Sequence, residues 1–382
     1  MVGVVAVCVL VATASVVGAA SLTGAAGDGE VAVPPPVHEP DPGPSVPEDV
    51  ADDDGAEPGG VEEAPQPAPP DDTSEDAEDA EDGEHGEDPG PPRGRLVVHH
   101  VGDVNLDPDY LPTLRTLGYE AVWSGIRDTF TEADLVLANL ECAPTRGGVG
   151  QPKQFVFRCD LDALPAMRDA GVDVVSLANN HSGDYGIAAM VEGVDDVEAT
   201  GIAAVGVGAD EAEAYAPQLV EVAGWRIAIL GFGGVVPEPS WTARGALPGQ
   251  ATGYDPARMA EAVALARENA DLVIATVHWG AEGALEPRPE DLVKAEAMIA
   301  AGADVVFGHH AHRLQPLEEV DGAPVFWNLG NFVWPRLSPA GATTAVAEWI
   351  VDPDGTVTSC LLPVEIDDRG VPAPTGAPRE CL

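Results

Sequence analysis

The sequence predicts an α/β domain over residues 95–382, preceded by two segments of different composition. Short β-branched runs recur from residue 96 onward, and each ends in polar residues. Amphipathic stretches with helical spacing lie between several of these runs. Strands that are almost continuously apolar and alternate with helices are typical of sheets covered on both faces. This part of the chain is long enough to bury one large core, so we expect one domain.

Eight runs are predicted to be strands and four to be helices. The predicted strands cover residues 96–101, 135–137, 172–177, 203–207, 226–232, 272–277, 305–307 and 325–327. The predicted helices cover residues 161–170, 187–200, 256–269 and 292–301. Two further runs, 346–350 and 357–364, flank an Asp-Pro-Asp-Gly turn and predict a terminal hairpin. The Gly- and Pro-rich connection 233–253 is long for a segment without regular structure, and we expect it to border a functional site.

The first 94 residues are predicted to lie outside this domain. Residues 1–26 carry no charged side chain and run apolar from Val2 to Ala20, which is typical of a signal peptide or a membrane anchor. Residues 27–94 are rich in Pro, Gly, Asp and Glu, which predicts a disordered acidic linker. We therefore expect an exported protein, either extracellular or anchored at the cell surface. The alternatives are a buried helix for residues 1–26 and an acidic tail that serves only solubility for residues 27–94.

Acidic residues dominate both parts of the chain. Residues 1–94 carry 23 of the 65 acidic residues and one of the 18 basic residues, so residues 95–382 carry 42 acidic and 17 basic residues and a net charge of −25. This charge excludes a nucleic-acid partner, because affinity for DNA or RNA comes from cations that neutralise phosphates. It also argues against a broad polyanion-binding face, but not against a local metal-lined pocket.

Four of the five cysteines lie in the predicted domain. An even number of cysteines in an exported domain indicates two disulfides. The order along the chain favours Cys142–Cys159 and Cys360–Cys381, although four cysteines permit three pairings. Four reduced, buried thiols are the alternative if the protein is not exported.

Polar side chains follow six of the predicted strands. In α/β folds, functional side chains gather just beyond the carboxyl ends of strands. In chain order these residues are Asp103, Asn105, Asn139, Glu141, Asn180, His181, Asp184, His278, Glu282, His310, His312, Gln315 and Asn331. A single histidine at a strand end is more often structural than a ligand. The ordered series Asp, Glu, Asn-His, His and His-x-His is a stronger signal, since chance would rarely place every member at a strand end.

Two carboxylates, an amide and several imidazoles make up a mixed oxygen and nitrogen ligand set. Such a set suits one or two divalent transition metal ions (Mn, Fe or Zn) and is unlike a calcium site or a thiolate site. His310 and His312 form the strongest pair, because alternate residues of an extended segment face the same side. A carboxylate that bridges two metals can hold them about 3.5–4 Å apart.

The strand-end phrases resemble those of the CapA family, which is named for the synthesis or export of capsular polyglutamate. The phrases are GDVNL, NLECAPT, SLANNHSGDYG, HWGAEG, GHHAHRLQ and NLGNF, in that order, and the resemblance covers about residues 95–350. It implies a four-layer α/β/β/α sandwich similar to that of the calcineurin-like metallophosphatases.

The resemblance also implies roles for individual residues. By motif, the metal ligands would be Asp103 and His312 for the first ion, Asn180, His278 and His310 for the second, and Glu141 for both. His181 would contact the substrate and protonate the leaving group. The remaining strand-end residues are expected to contact the substrate or the ligands: Asn105, Asn139, Asp184, Glu282, Gln315 and Asn331. This sequence has Asn105 where the metallophosphatases have a histidine, and Glu141 where they have an aspartate.

Two functions of different classes fit this pattern. The first is a metal-dependent hydrolase of phosphoester or related bonds, acting in the biosynthesis or export of a capsule or cell-envelope polymer such as poly-γ-glutamate. Its partners would be an anionic envelope polymer or phosphoester substrate and a membrane synthase or export complex. The second is a non-catalytic accessory or binding protein of such a complex. His181, His310 and His312 favour the enzyme, whereas Asn105 favours the accessory role.

Overall fold

A computed structural model describes residues 92–382, and they form a mixed α/β fold. The predicted α/β class is confirmed. The predicted signal peptide or anchor over residues 1–26 and almost all of the predicted linker over residues 27–94 lie outside the described residues. Between residues 92 and 382, no helix is long and apolar enough to cross a membrane.

Seventeen strands and eight α-helices are present in residues 92–382. The strands are β1 (Leu96–Val104), β2 (Leu135–Leu140), β3 (Val174–Ser176), β4 (Ala203–Val205), β5 (Val207–Gly208), β6 (Gln218–Val222), β7 (Trp225–Gly233), β8 (Gly249–Gln250), β9 (Leu272–His278), β10 (Val305–His309), β11 (Leu317–Val320), β12 (Ala323–Phe326), β13 (Asn331–Val333), β14 (Thr343–Val351), β15 (Val357–Ile366), β16 (Pro372–Pro374) and β17 (Glu380–Cys381). The α-helices are α1 (Thr113–Thr116), α2 (Arg127–Phe130), α3 (Leu164–Ala170), α4 (Ile187–Glu198), α5 (Glu211–Ala214), α6 (Pro256–Arg267), α7 (Pro289–Ala300) and α8 (Pro339–Ala342). Short 3₁₀ helices cover Tyr119–Trp123, Leu161–Ala163 and Pro239–Trp241.

Two large sheets organise these elements. In the nine-stranded sheet, β1 is flanked on one side by the parallel strands β2, β3 and β4 and on the other by β14, β15 and β16, each antiparallel to its neighbour. In the six-stranded sheet, β7, β9, β10 and β12 are parallel, and antiparallel β6 and β11 form the edges. The central strands of each sheet are therefore parallel, and their carboxyl ends share one edge.

Buried apolar side chains form three clusters that cover the sheets. One cluster contains residues from both large sheets, such as Val98 on β1 and Ile274 on β9. A second joins the nine-stranded sheet to α3 and α4, and a third joins the six-stranded sheet to α6 and α7. On β9, Ile274 belongs to the shared cluster, whereas its neighbours Val273 and Ala275 belong to the helix-facing one. The strands are thus buried on both faces, as their continuous apolar runs predicted.

All eight predicted strands overlap observed ones, and the four predicted helices are present. Gly206 has a φ of 89° and divides the run predicted over residues 203–207 into β4 and β5. Helix α7 begins at Pro289, three residues before its predicted start, and the Asp291 carboxylate accepts hydrogen bonds from the Arg288 backbone and side chain there. The terminal hairpin is confirmed as β14 and β15.

Both favoured disulfides are present. Cys142 and Cys159 have a Cα–Cα distance of 5.2 Å, and their bond encloses the loop that follows β2. Cys360 on β15 is bonded to Cys381 on β17. The first disulfide begins one residue after Glu141, so it lies at the strand end where the candidate ligands gather.

Candidate metal centre

The carboxyl ends of strands from both sheets bring the predicted ligands together. Asp103 lies near the end of β1, and Glu141 directly follows β2. His278 is the last residue of β9 in the other sheet. His310 and His312 follow the end of β10. These five side chains reach one place because the parallel strands that carry them end at the same edge.

Two groups of these side chains have ligand atoms that all lie within 4.8 Å of one another. One group is Asp103, Glu141 and His278, and the other is Glu141, His310 and His312. Because Glu141 is common to both groups, it has the position expected of a carboxylate that bridges two ions. His312 also approaches Asp103, with 3.0 Å between Nδ1 and Oδ2, and the ring centroids of His278 and His310 are 4.7 Å apart.

Several buried ligand atoms of this cluster have no hydrogen-bond partner among residues 92–382. They are Asp103 Oδ2, Glu141 Oε1, His310 Nδ1 and His312 Nδ1. The short approach of His312 to Asp103 therefore lacks hydrogen-bond geometry. Buried polar atoms without partners are costly and rare, and one or two cations bound here would give such atoms partners. The donor set consequently fits a divalent transition ion.

The two buried carboxyl groups have opposite pKa shifts. Burial, and then the negative charge of Asp103, raises the pKa of Glu141 well above its usual value. Burial also acts to raise the pKa of Asp103, but the imidazoles of His309 and His312 outweigh it and hold that pKa well below its usual value. Two carboxylates that share a buried site do not both stay charged unless a cation compensates them. A divalent ion would supply that compensation.

Two imidazoles of the cluster, those of His278 and His310, are held in the neutral form that a metal requires. Burial, followed by the charge of His310, lowers the pKa of His278 well below its usual value. Burial, followed by the charge of His312, lowers the pKa of His310 to about 4. A neutral imidazole keeps a lone pair free to bind a metal ion.

The loop that carries His310 and His312 is strained. Their φ angles are 88° and 53°, in the left-handed region that residues other than glycine rarely adopt. The extended His-x-His geometry expected from the sequence is therefore wrong for this loop, and the two rings converge through two left-handed residues instead. Each such residue costs about 1–3 kcal/mol, and such strain is concentrated at functional sites.

Three asparagines form a hydrogen-bonded network with Asp103 and His278. The Asn139 amide donates to Asp103 Oδ1 at 2.9 Å and lies 3.2 Å from His278 Nδ1. The Asn179 amide donates to Asn139 Oδ1 at 3.1 Å. His278 Nε2 is 2.8 Å from Asn180 Oδ1, so these two predicted ligand atoms point at the same place. Such partners fix the orientation of metal-binding side chains.

His181 lies beside this cluster with its ring fixed at one nitrogen. Its Nδ1 is 2.7 Å from Asp184 Oδ2, and its ring centroid is 4.3 Å from that of Phe157. Burial lowers the pKa of His181, and the hydrogen bond to Asp184 opposes that shift. Because Asp184 accepts the proton on Nδ1, Nε2 is the nitrogen left for a substrate.

Trp241, in the connection over residues 233–253, packs against the turn that carries His181. The Trp241 ring packs directly on Gly183, where a Cβ would collide with it. Lys153 lies 5.5 Å from the centroid of that ring. The expectation that this segment flanks the site agrees with these contacts.

Of four other predicted residues, Asn331 and Glu282 affect the ligands Asp103 and Glu141, whereas Asn105 and Gln315 hydrogen-bond to backbone groups. Asn105 Oδ1 accepts a hydrogen bond from the backbone N–H of Asp107, so this oxygen stabilises the local turn after β1. Asn331 pairs with Asp103 in the sheet, but its amide donates to Gly341 O. The Gln315 amide donates to the backbone oxygens of residues 284 and 286, in the loop between β9 and α7. Glu282 is exposed, and its charge contributes to the raised pKa of Glu141.

Two residues near the cluster were not singled out from the sequence. His309 is fully buried, and its Nδ1 is 3.4 Å from Asp103 Oδ1. Lys153 Nζ donates to Asp184 Oδ1 at 2.5 Å and to Asn180 O at 2.6 Å. His309 belongs to the GHHAH phrase at the end of β10, so its position at a strand end could have identified it as a candidate. Lys153 lies in a loop without periodicity, and no pattern marks it.

The family model for "Bacterial capsule synthesis protein PGA_cap" matches residues 97–336. The chain is 27% identical over 282 residues to the PGA biosynthesis protein CapA of Bacillus subtilis, covering 73% of both chains. It is 26% identical over 288 residues to the capsule biosynthesis protein CapA of Bacillus anthracis, covering 73% of this chain and 69% of that protein. It is 34% identical over 214 residues to a probable polyglutamine synthesis accessory protein of Mycobacterium tuberculosis, covering 53% and 56%.

Among solved structures, the fold is similar to the sulfate thiohydrolase SoxB of Thermus thermophilus. The TM-score is 0.38 and the sequence identity 14%, with 76% of this chain and 56% of that chain covered. This similarity is too low to indicate an activity.

Proposed function

The chain belongs to the bacterial capsule synthesis protein family PGA_cap, and on that premise we propose that it is an exported, metal-dependent hydrolase of capsule or envelope polymer biosynthesis. The bond it cleaves would be a phosphoester or a related bond. The Bacillus subtilis relative is named for PGA biosynthesis and the Bacillus anthracis relative for capsule biosynthesis, which supports a capsule polymer such as poly-γ-glutamate as the one concerned. Two disulfides support export, because such bonds persist in oxidising compartments.

The observation that carries this proposal is the position of Glu141. It is fully buried and belongs to both ligand groups, and its Oε1 has no hydrogen-bond partner among the described residues. An accessory protein that only binds a polymer has no need for such a costly arrangement. The proposal includes the layered α/β/β/α arrangement of metallophosphatases, which the cluster shared by the two sheets and the two helix-facing clusters support.

Metal binding, ligand positioning and proton donation would be carried out by different residues of the chain. Asp103, Glu141, Asn180, His278, His310 and His312 would hold one or two ions of Mn, Fe or Zn. When bound, such ions supply Lewis-acid polarisation of a phosphoryl oxygen and activation of water. Asn139 keeps Asp103 in place through its 2.9 Å hydrogen bond. His181, held by Asp184 at Nδ1, would donate the Nε2 proton of its imidazolium form to the leaving oxygen and return to the neutral imidazole.

Hydrolysis of a generic phosphodiester by the purified, Mn²⁺-loaded protein tests this function. We expect Glu141→Gln to lose both the metal and nearly all of the activity, since it removes the charge of the shared ligand. Glu261→Gln, at an exposed residue of α6, is the matched control and should change neither. Metal content comes from elemental analysis. Full metal loading without hydrolysis of phosphomonoesters, phosphodiesters or poly-γ-glutamate would instead support a non-catalytic accessory of a synthase or export complex.

A groove lined in part by the loop between Cys142 and Cys159 offers an arginine to an anionic chain in spite of the acidic surface. It encloses about 480 Å³, and it is lined by Tyr185 and by six charged residues: Arg115, Arg146, Arg158, Asp107, Asp109 and Asp160. The first two arginines pair with Asp109 and Asp162. Arg158 stacks on Tyr185 at 3.6 Å, and its Nη1 donates to the Thr145 and Gly147 oxygens. Among the described residues, no carboxylate lies within salt-bridge distance of Arg158, which leaves its charge for a ligand.

Arg158→Gln should therefore weaken binding of an oligo-γ-glutamate about tenfold or more, the usual effect of losing a charged hydrogen bond. Isothermal titration at low salt measures the affinity, and added salt should reduce the difference between wild type and variant. Arg127→Gln is the control, because Arg127 on α2 also donates only to a backbone oxygen, that of Asp169. Equal weakening in both variants would show that the groove does not select the ligand.

A further inference from the structure

We propose that the loop closed by the Cys142–Cys159 disulfide positions His181, and that Lys153 is the positioning residue through which it acts. This inference rests on the proposed function, in which His181 is the proton donor. Lys153 and Phe157 both lie between the two bonded cysteines in the sequence. Their contacts with the turn that carries His181 and Asp184 are the basis of the proposal.

The Asp184 carboxylate is the meeting point of these contacts. It is fully buried and accepts three hydrogen bonds, each of 2.7 Å or less. Oδ1 accepts from Lys153 Nζ at 2.5 Å, and Oδ2 accepts from the Phe157 backbone N–H at 2.7 Å and from His181 at 2.7 Å. Two of the three donors therefore come from the disulfide-closed loop. A buried carboxylate with all its partners in place has one orientation, and it transmits that orientation to the imidazole.

Lys153 also contacts the segment that precedes His181. Its Nζ donates to Asn180 O at 2.6 Å and lies 3.4 Å from His181 Nδ1. Because that nitrogen donates to Asp184, Lys153 acts on His181 through the carboxylate and not by a direct hydrogen bond. The Lys153 side chain is 20% exposed, so the ion pair with Asp184 is largely shielded from water.

The Phe157 ring completes the support. Its centroid is 4.3 Å from that of His181, so it lies against the imidazole. One loop thus holds the His181–Asp184 pair through three groups: the Phe157 backbone N–H, the Phe157 ring and the Lys153 side chain. The disulfide holds both ends of that loop, since Cys142 follows Glu141 and Cys159 follows Arg158. Its removal would free the loop without replacing any metal ligand.

The first test compares Lys153→Met with Lys153→Arg and with Lys294→Met. Lys294 is a buried lysine that pairs with Asp291 on α7. Lys153→Met should lower kcat about 10–100-fold with KM and metal content little changed, as is usual for loss of an orienting partner. Lys153→Arg should recover part of the loss, and Lys294→Met should leave kcat unchanged. Combined with His181→Ala, Lys153→Met should cost nothing further, because the two act as a unit. Additive losses would overturn the proposal.

The second test needs no activity. A long-range ¹H–¹⁵N NMR spectrum at pH 8 shows which nitrogen of His181 carries the proton. We expect Nδ1 in the wild type and in Lys294→Met, and a mixture with Nε2 in Lys153→Met and in Cys142→Ser with Cys159→Ser. The double variant Cys360→Ser with Cys381→Ser removes the other disulfide and should match the wild type. An unchanged His181 spectrum in both Lys153→Met and Cys142→Ser/Cys159→Ser would refute the positioning role. An inactive wild type with the expected spectra would refute only the hydrolase.

Discussion

Replacing His310 and His312 together by alanine is expected to remove the metal from the protein. Both rings belong to one ligand group with Glu141, and His312 also approaches Asp103 at 3.0 Å. Loss of an outer partner of a metal ligand typically costs 10–100-fold in affinity, so loss of two direct ligands should cost at least about 100-fold. Elemental analysis of the purified protein, followed by titration with Mn²⁺ or Zn²⁺, measures the loss.

The control for this experiment is the double variant His38→Ala with His85→Ala. It removes the same number of imidazoles from the acidic segment over residues 27–94 and should leave the metal content unchanged. The alanine variant should still fold, because its metal-free state loses two buried nitrogen atoms that have no partner in residues 92–382. Full metal occupancy in His310→Ala/His312→Ala, with an unchanged melting temperature, would contradict the ligand assignment.

The sequence predicted the inner strands of the fold better than its edges. The buried runs at β1, β7, β9 and β10 are apolar at nearly every position, and such runs are distinctive. The edge strands β6 and β11 contain only exposed and half-buried residues, and β13, β16 and β17 have two or three residues each. Their pairing depends on the rest of the sheet, so no local pattern predicts them.

The candidate ligands could be predicted for a related reason. Asp103, Glu141 and His278 lie at the ends of apolar runs that were themselves recognisable. The groups that support them were harder to identify. Lys153 reaches Asp184 from a loop with no periodicity, across 31 positions of sequence. The left-handed backbone at His310 and His312 was also not predictable, because residues other than glycine adopt it only uncommonly.

His181→Ala should lower the hydrolysis of a phosphodiester about 10²–10⁴-fold, the usual contribution of a positioned acid. The structure separates this residue from the ligand groups: its Nδ1 is bound to Asp184, and its ring lies on Phe157. The metal content should therefore stay the same. Steady-state kinetics of wild type and variant on the same diester, with metal analysis of both, measure the effect.

The leaving group gives the sharper comparison. A nitrophenolate leaves without a proton, whereas an alkoxide needs one, so the loss in His181→Ala should shrink as the pKa of the leaving alcohol falls. His181→Gln keeps the size of the side chain and should behave like alanine, because an amide does not donate a proton to a developing alkoxide. A loss that is equal for all leaving groups would assign His181 to substrate binding. A loss of metal together with activity would make it a ligand or a structural residue.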